Sequence, residues 1–326
     1  MSKDKPVQRI AIIGTGVIGA SWAALYLAKG LEVVATDVAP NAELSLKRFV
    51  EAAWPALKRL GLSSGASQSN LKFTTDLPAA VKNADLVQEN GPERIEFKRK
   101  LYGQLDELLP ADVIIASSSS GLTMSEIQSG CPSHPERCVI AHPFNPPHLI
   151  PLVEIVGGAK TSEDTIRRAS EFYTAIGKQT VRLNKEVPGH VANRLQAALA
   201  REVYYLVAEG VVSVADVDTA LCWGPGLRWG IMGQVLLNHL GGGQGGIEHF
   251  FEQFTGPVTA WWKVLGSPVL TPEVRQKLID GLHAEVGSSS IDELAAQRDE
   301  VLLGLLELRT KSGKSPVAAK KAAKVG

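Results

Sequence analysis

Residues 9–22, RIAIIGTGVIGASW, determine the architecture of this chain. After Arg9 come four apolar residues, three of them Ile, the composition of a buried strand. Gly14, Gly16 and Gly19 then fall in a G-x-G-x-x-G spacing, and residues 17–29 read as a helix. A lone glycine pattern says little, but strand, glycine turn and helix in that order supply the context it needs. Gly14 permits the tight turn, Gly16 lets the backbone approach a pyrophosphate, and Gly19 lets helix and strand pack closely. The helix start at Val17 and Ile18 then faces the phosphates with unpaired N–H groups and the positive end of its dipole. A second strand over residues 31–36 ends at Asp37, where a carboxylate accepts from both ribose hydroxyls and repels a 2′-phosphate. Val38, Ala39 and Pro40 follow, with no arginine, which favours NAD over NADP. Flavin competes at such a loop; the chemistry read further along the chain favours nicotinamide.

Outward from this loop, β-rich runs alternate with helical stretches. Strands are expected at residues 71–74, 85–88, 113–116 and 138–141, and a long amphipathic helix at 41–60. This is the rhythm of a doubly wound parallel α/β sheet of Rossmann type. Two more strand-like runs come at 149–156 and 179–183. After Pro188 the pattern turns helical, at residues 191–209, 216–222, 233–240, 247–254, 272–286 and 291–308. The expected organisation is a NAD-binding Rossmann domain over 1–187, an all-α substrate and dimerisation domain over 188–311, and a basic, disordered tail over 312–326.

Composition excludes several classes of function. Of 326 residues 44% are hydrophobic and 21% charged, as in a soluble globular protein. Lys plus Arg equals Asp plus Glu, so there is no global attraction for nucleic acid or anionic membrane. No apolar run is long enough to span a bilayer and no apolar leader precedes the first strand, so a cytoplasmic protein is expected. The three cysteines, Cys131, Cys138 and Cys222, lack metal-ligand spacing and are too few for a disulfide framework; no metal is expected.

Three further segments carry chemistry: ASSSSGLTMSEI (116–127), HPFNPPHLIPLVE (142–154) and PGHVANRL (188–195). Strand carboxyl ends face the ligand crevice in a doubly wound sheet, and Ser120 and His142 sit at such ends. Oxidising a secondary alcohol needs a base for the hydroxyl proton while hydride leaves the carbon, and an imidazole suits this at neutral pH. A carboxylate on its other nitrogen fixes the tautomer and stabilises the imidazolium; Glu154, on the strand after the prolines, is placed for that. Asn193 and Ser120 offer an amide and a hydroxyl to position the substrate oxygen. Taken singly, each residue also has a bland reading, as a strand-end histidine, a solvated strand glutamate or a serine loop.

Together these segments resemble the 3-hydroxyacyl-CoA dehydrogenase family, most specifically in HPFNP (142–146), PLVE (151–154) and the PG and NRL of residues 188–195. The resemblance implies His142 as general base, Glu154 as its partner, and Ser120 and Asn193 on the substrate oxygen. It implies Glu93 and Lys98, in QENGPERIEFK (88–98), as contacts to the nicotinamide half of NAD, and a homodimer through the helical domain. The segment WGPGLRWGIMG (223–233) is similar to the branch that includes lambda-crystallin and acts on gulonate or carnitine, and AWPAL (53–57), SSGL (119–122) and HFFEQF (249–254) point to carnitine within it. The implied reaction is NAD-dependent oxidation of a short 3-hydroxy acid, L-carnitine to 3-dehydrocarnitine first. A 3-hydroxyacyl-CoA or L-gulonate is the alternative substrate, and a crystallin-like structural role a third reading. A CoA enzyme would carry a basic patch over residues 54–71, which hold only Lys58 and Arg59. A quaternary ammonium is recognised by aromatic faces, so Phe144 and Phe254 are expected to face it. Ser119, Arg194 and Arg228 are the candidate donors to the substrate carboxylate.

Overall fold

The computed structural model describes residues 6–311. The basic tail expected at 312–326 lies outside the described residues. The chain divides into two compact units, the first ending at Arg194 and the second beginning at Leu195.

The first unit is built on one sheet of β1 (Arg9–Ile13), β2 (Glu32–Thr36), β3 (Leu71–Thr74), β4 (Leu86–Glu89), β5 (Ile114–Ser117), β6 (Cys138–Pro143), β7 (Leu152–Gly157) and β8 (Gln179–Leu183), in the order β3-β2-β1-β4-β5-β6-β7-β8. Between them lie α1 (Val17–Ala28), α2 (Ala42–Leu60), α3 (Leu77–Val81), α4 (Ile95–Leu108), α5 (Met124–Ile127) and α6 (Glu163–Ala175). Alternate residues of β1 feed two cores: Ile10 and Ile12 pack with α1, α2 and α6, and Ala11 and Ile13 with α4 and α5. That is the period-two pleat of a strand buried on both faces. From Gly19 to Ala28 every residue of α1 is buried, which is why VIGASWAALYLA has no polar stripe. The outer α2 is amphipathic, burying Ala42, Leu46, Val50, Ala53 and Leu57.

β1 pairs in parallel with β2 on one side and β4 on the other, so the strand order reverses there. Ligands of open α/β sheets bind at the carboxyl ends beside such a switch point.

One strand departs from the parallel order: β7 runs antiparallel to β6, with His142 directly opposite Glu154. The physical reason is the connection. A parallel return needs a crossover of a dozen or more residues, usually a helix. The segment between β6 and β7 is short, and Pro146, Pro147 and Pro151 exclude a helix from it. The chain therefore doubles back.

The regular elements among the described residues of the second unit are all helices: the rest of α7 (Ala192–Ala208), then α8 (Val214–Trp223), α9 (Pro225–Trp229), α10 (Gln234–Gly241), α11 (Gly246–Trp262), α12 (Pro272–Val286) and α13 (Ile291–Lys311). The short α9, headed by a proline at its first position, was not anticipated.

Candidate active site

The glycine loop leaves β1 at the switch point. Gly14 has φ 83°, and a Cβ there would stand 2.7 Å from the Asn90 carbonyl oxygen. A Cβ on Gly19 would stand 1.9 Å from the Gly14 carbonyl oxygen. Both glycines are demanded by backbone packed against backbone. Gly16 differs, because a Cβ there meets nothing within 4 Å. It is the N-cap of α1 and no side chain caps that helix, whose first exposed residue is Val17, followed by the half-buried Ile18. The open side of Gly16 thus faces the start of a helix with bare N–H groups.

Asp37 lies at the end of β2. Its Oδ2 accepts from the Thr15 amide at 2.7 Å and the Thr15 hydroxyl at 3.0 Å, and its Oδ1 from the Ala39 amide at 2.9 Å. Partial burial works against its charge, but these donors prevail and hold the carboxyl below its ordinary range. A cleft of about 700 Å³ runs past Gly14, Gly16, Asp37, Asn90, Gly91 and Arg94. The open face of Gly16, an uncapped helix start and an ionised carboxylate along one cleft fit a dinucleotide. Gly14, Gly16, Val17, Ile18 and Gly19 are the residues expected at the phosphates, and Asp37 the residue expected at the ribose.

At the carboxyl end of β6, His142 Nδ1 is 2.8 Å from Glu154 Oε2. Both residues are buried. The other oxygen of Glu154 accepts from the amides of Val191, at 2.8 Å, and Ala192, at 3.0 Å, at the start of α7. Burial alone would raise the Glu154 carboxyl. His142 and the two amides outweigh it, and the net shift is downward. An ionised carboxylate only accepts, so in the neutral ring of His142 Nδ1 carries the hydrogen and Nε2 the lone pair.

A second cluster sits at the ends of β4 and β5. Lys98, 1% exposed, donates to both oxygens of Glu89, at 2.8 and 2.9 Å. Glu89 also accepts from the Ser117 hydroxyl at 2.6 Å and the Gly91 amide at 2.6 Å. Glu93 Oε1 gathers the loop after β5, accepting from the Ser119 hydroxyl at 2.6 Å and the amides of Ser120, Gly121 and Leu122 at 3.0, 2.7 and 3.2 Å. Burial opposes its charge, while these donors and Lys98 pull its carboxyl below the usual value.

The two carboxylates therefore have protein partners, and so has Lys98, expected at the nicotinamide: a buried ammonium is stable only when paired, and its partner is Glu89. Ser119, a candidate donor to the substrate carboxylate, is buried with its hydroxyl on Glu93. Ser120 is exposed beside it, and Asn193 is half-buried in the first turn of α7. Phe144 is half-buried just past β6. Arg194 is exposed, with a long contact to the Pro188 carbonyl at 3.4 Å. In the second unit, Arg228 lies on α9, and Phe254 on α11 stacks on Phe250 with centroids 4.9 Å apart.

The sequence reading missed His190. Its φ is 49°, its Nε2 is 3.0 Å from the Ser119 carbonyl oxygen, and its ring lies 5.0 Å from that of His142. Only its place between Pro188-Gly189 and Asn193 could have drawn attention to it. Glu89 and Ser117 were also missed, being residues of strand ends with no motif of their own.

A switch-point glycine loop with an acid at the end of the second strand, beside a histidine–carboxylate pair, defines an NAD-dependent oxidoreductase. Comparison with known proteins narrows the class. The model of the 3-hydroxyacyl-CoA dehydrogenase NAD-binding domain matches residues 9–187, and that of the family's C-terminal domain matches residues 189–308. L-carnitine dehydrogenase of Streptomyces griseus is 44% identical over 98% of this chain and 94% of its own length. That of Bacillus cereus is 44% identical over 94% and 93%. Among solved structures, an NAD⁺-dependent dismutase, 5-formyl-3-hydroxy-2-methylpyridine 4-carboxylic acid 5-dehydrogenase, superposes with a TM-score of 0.79 at 32% identity, covering 95% of this chain and 100% of that one. The chain belongs to the 3-hydroxyacyl-CoA dehydrogenase family.

Proposed function

We propose that the chain oxidises the secondary alcohol of L-carnitine to 3-dehydrocarnitine, with His142 as general base oriented by Glu154. The observation that carries the chemistry is the buried 2.8 Å pair at the end of β6; the substrate rests on the carnitine dehydrogenases to which the chain is similar. NAD, when bound, supplies the hydride acceptor. Glu154 holds the hydrogen on Nδ1, leaving the Nε2 lone pair of His142 to take the hydroxyl proton. As His142 becomes an imidazolium, the carboxylate already beside it stabilises the charge with little reorganisation. Ser120 and Asn193 hold the substrate oxygen, and Phe144, two residues beyond the base, offers an aromatic face to the trimethylammonium, a contact worth about 0.5–2 kcal/mol.

We propose further that two copies associate through the second unit, where Trp223, Val235, Trp261 and Trp262 are exposed. Sedimentation at twice the chain mass is the expected result. The substrate is tested by following NADH absorbance with L-carnitine, L-gulonate and a 3-hydroxyacyl-CoA in parallel. Turnover highest on L-carnitine is expected; turnover confined to either of the others overturns the reading.

A further inference from the structure

We infer that His190 is a positioning residue of the active site: a neutral imidazole whose Nδ1 lone pair favours the imidazolium form of His142. The inference rests on the proposed role of His142 as base and goes beyond it.

The geometry fixes the tautomer. The partner of Nε2 is a carbonyl oxygen, that of Ser119, at 3.0 Å. A carbonyl only accepts, so Nε2 carries the hydrogen and Nδ1 is bare in the neutral ring. Nδ1 is buried and has no hydrogen-bond partner among the described residues. The residue is 3% exposed. A buried acceptor without a donor is costly, and folded proteins keep few of them. This one is kept at a further cost, since His190 holds φ 49°, a left-handed backbone uncommon outside glycine. Both costs fall 5.0 Å, ring to ring, from His142.

Charge explains why such an arrangement serves a base. The groups facing this place are Glu154 from β7, Glu93 ahead of α4, and the two imidazoles. Burial first, and then the nearness of His142, make His190 harder to protonate, outweighing the Ser119 carbonyl and the two carboxylates. His190 is therefore the ring that resists the charge. A neutral imidazole is a dipole, positive at N–H and negative at the bare nitrogen. Here the positive pole is anchored on Ser119, and the negative pole is buried without a hydrogen-bond partner in a ring 5.0 Å from that of His142. That pole is unserved while His142 is neutral and is served when His142 carries the alcohol proton, which is electrostatic preorganisation.

The same turn has a mechanical role that must be separated from this one. It leads into the amides of Val191 and Ala192 that hold Glu154. Two amide variants divide the functions. His190→Gln places an N–H near the Nε2 position and keeps the tie to Ser119, but has no acceptor at Nδ1. His190→Asn places its carbonyl near Nδ1, loses the tie, and suits a left-handed backbone. His190→Phe removes both nitrogens.

The expected result is that the acid limb of the kcat/KM profile moves to lower pH by about half a unit in the Phe and Gln variants, with kcat falling about threefold to tenfold, and returns toward wild type in Asn. The titration of His142, followed by NMR on ¹³Cε1-histidine in the full chain, moves in the same direction. This second measurement needs no substrate. The shift seen without turnover of L-carnitine would leave the inference standing while the carnitine reading fell. An acid limb and a His142 titration unmoved in all three variants, or activity kept by Gln and lost in Asn, would overturn it and reduce His190 to a structural tie.

Discussion

At the scale of single residues, the catalytic proposal depends on which groups are charged. Glu154 keeps its charge despite burial because three donors share the work: His142 Nδ1 and the amides of Val191 and Ala192. Replacing the carboxylate by an amide keeps the shape and removes the charge. Glu154→Gln is expected to lower kcat by about a hundredfold or more, and His142→Ala by about 10²–10⁴-fold, with NAD affinity nearly unchanged in both. Nicotinamide-cofactor binding by fluorescence titration, beside turnover, checks the pair; loss of both together would mean that the pair is structural. The sign of the pH effect on stability follows from the lowered carboxyl. Glu154 contributes above the carboxylate value of the unfolded chain, about 4.3, and the contribution disappears as pH falls through the still lower value of the folded state. The stability gap between wild type and Glu154→Gln should therefore be full near neutrality and close in acid, as read by urea midpoints at several pH values.

At the scale of elements, the site is made by the reversal between β6 and β7. Antiparallel pairing sets His142 opposite Glu154; a one-residue slip would turn one of them to the other face. A buried lysine holds the connection between the two strands. Lys178, 4% exposed, donates to the carbonyls of Pro147 and Ile150, the latter at 2.9 Å, and its ammonium lies 4.8 Å from the Trp22 ring. Burial first, and then Lys29, push its pKa down to about 7. A neutral amine still has two hydrogens for the two carbonyls, so the anchor survives loss of charge. Since the unfolded lysine titrates near 10.4, the unfolded chain binds the extra proton between those values, and this residue's term makes stability rise with pH across that window. Lys178→Met should remove that rise and cost about 1–3 kcal/mol by leaving two buried carbonyls unpaired. Denaturant midpoints from pH 7 to 10 for both proteins test it, and parallel pH curves would refute it. The strands and most helices were readable from period-two and period-3.6 patterns. The run at residues 149–156 is legible as a strand but its direction is not, because strand composition carries none. The partners of Lys98 and Glu93 were unreadable, since Glu89 and the Ser119–Leu122 amides meet them only through the register of β4 and β5.

At the scale of the whole molecule, folding and ligand binding make different demands on one motif, and the three glycines separate them. A side chain on Gly19 collides with the Gly14 carbonyl at 1.9 Å, backbone that cannot yield without moving β1 away from α1. A side chain on Gly16 meets nothing within 4 Å, and Gly16 has φ −61°, open to any residue. Gly19→Val should therefore weaken the first unit with or without NAD. Gly16→Val should fold with an unfolding temperature close to wild type, while its side chain occupies the space over the start of α1 that the pyrophosphate needs. A ligand that binds only the folded state stabilises by RT ln(1 + [L]/Kd), about 2.7 kcal/mol at a hundredfold excess over Kd. NAD at that excess should raise the midpoint of the wild-type chain by several degrees and leave Gly16→Val where it was. A full NAD shift in Gly16→Val would place the pyrophosphate elsewhere. A Gly16→Val chain that melted as early as Gly19→Val would mean that the open face of Gly16 is filled by protein, and that this loop serves the fold alone.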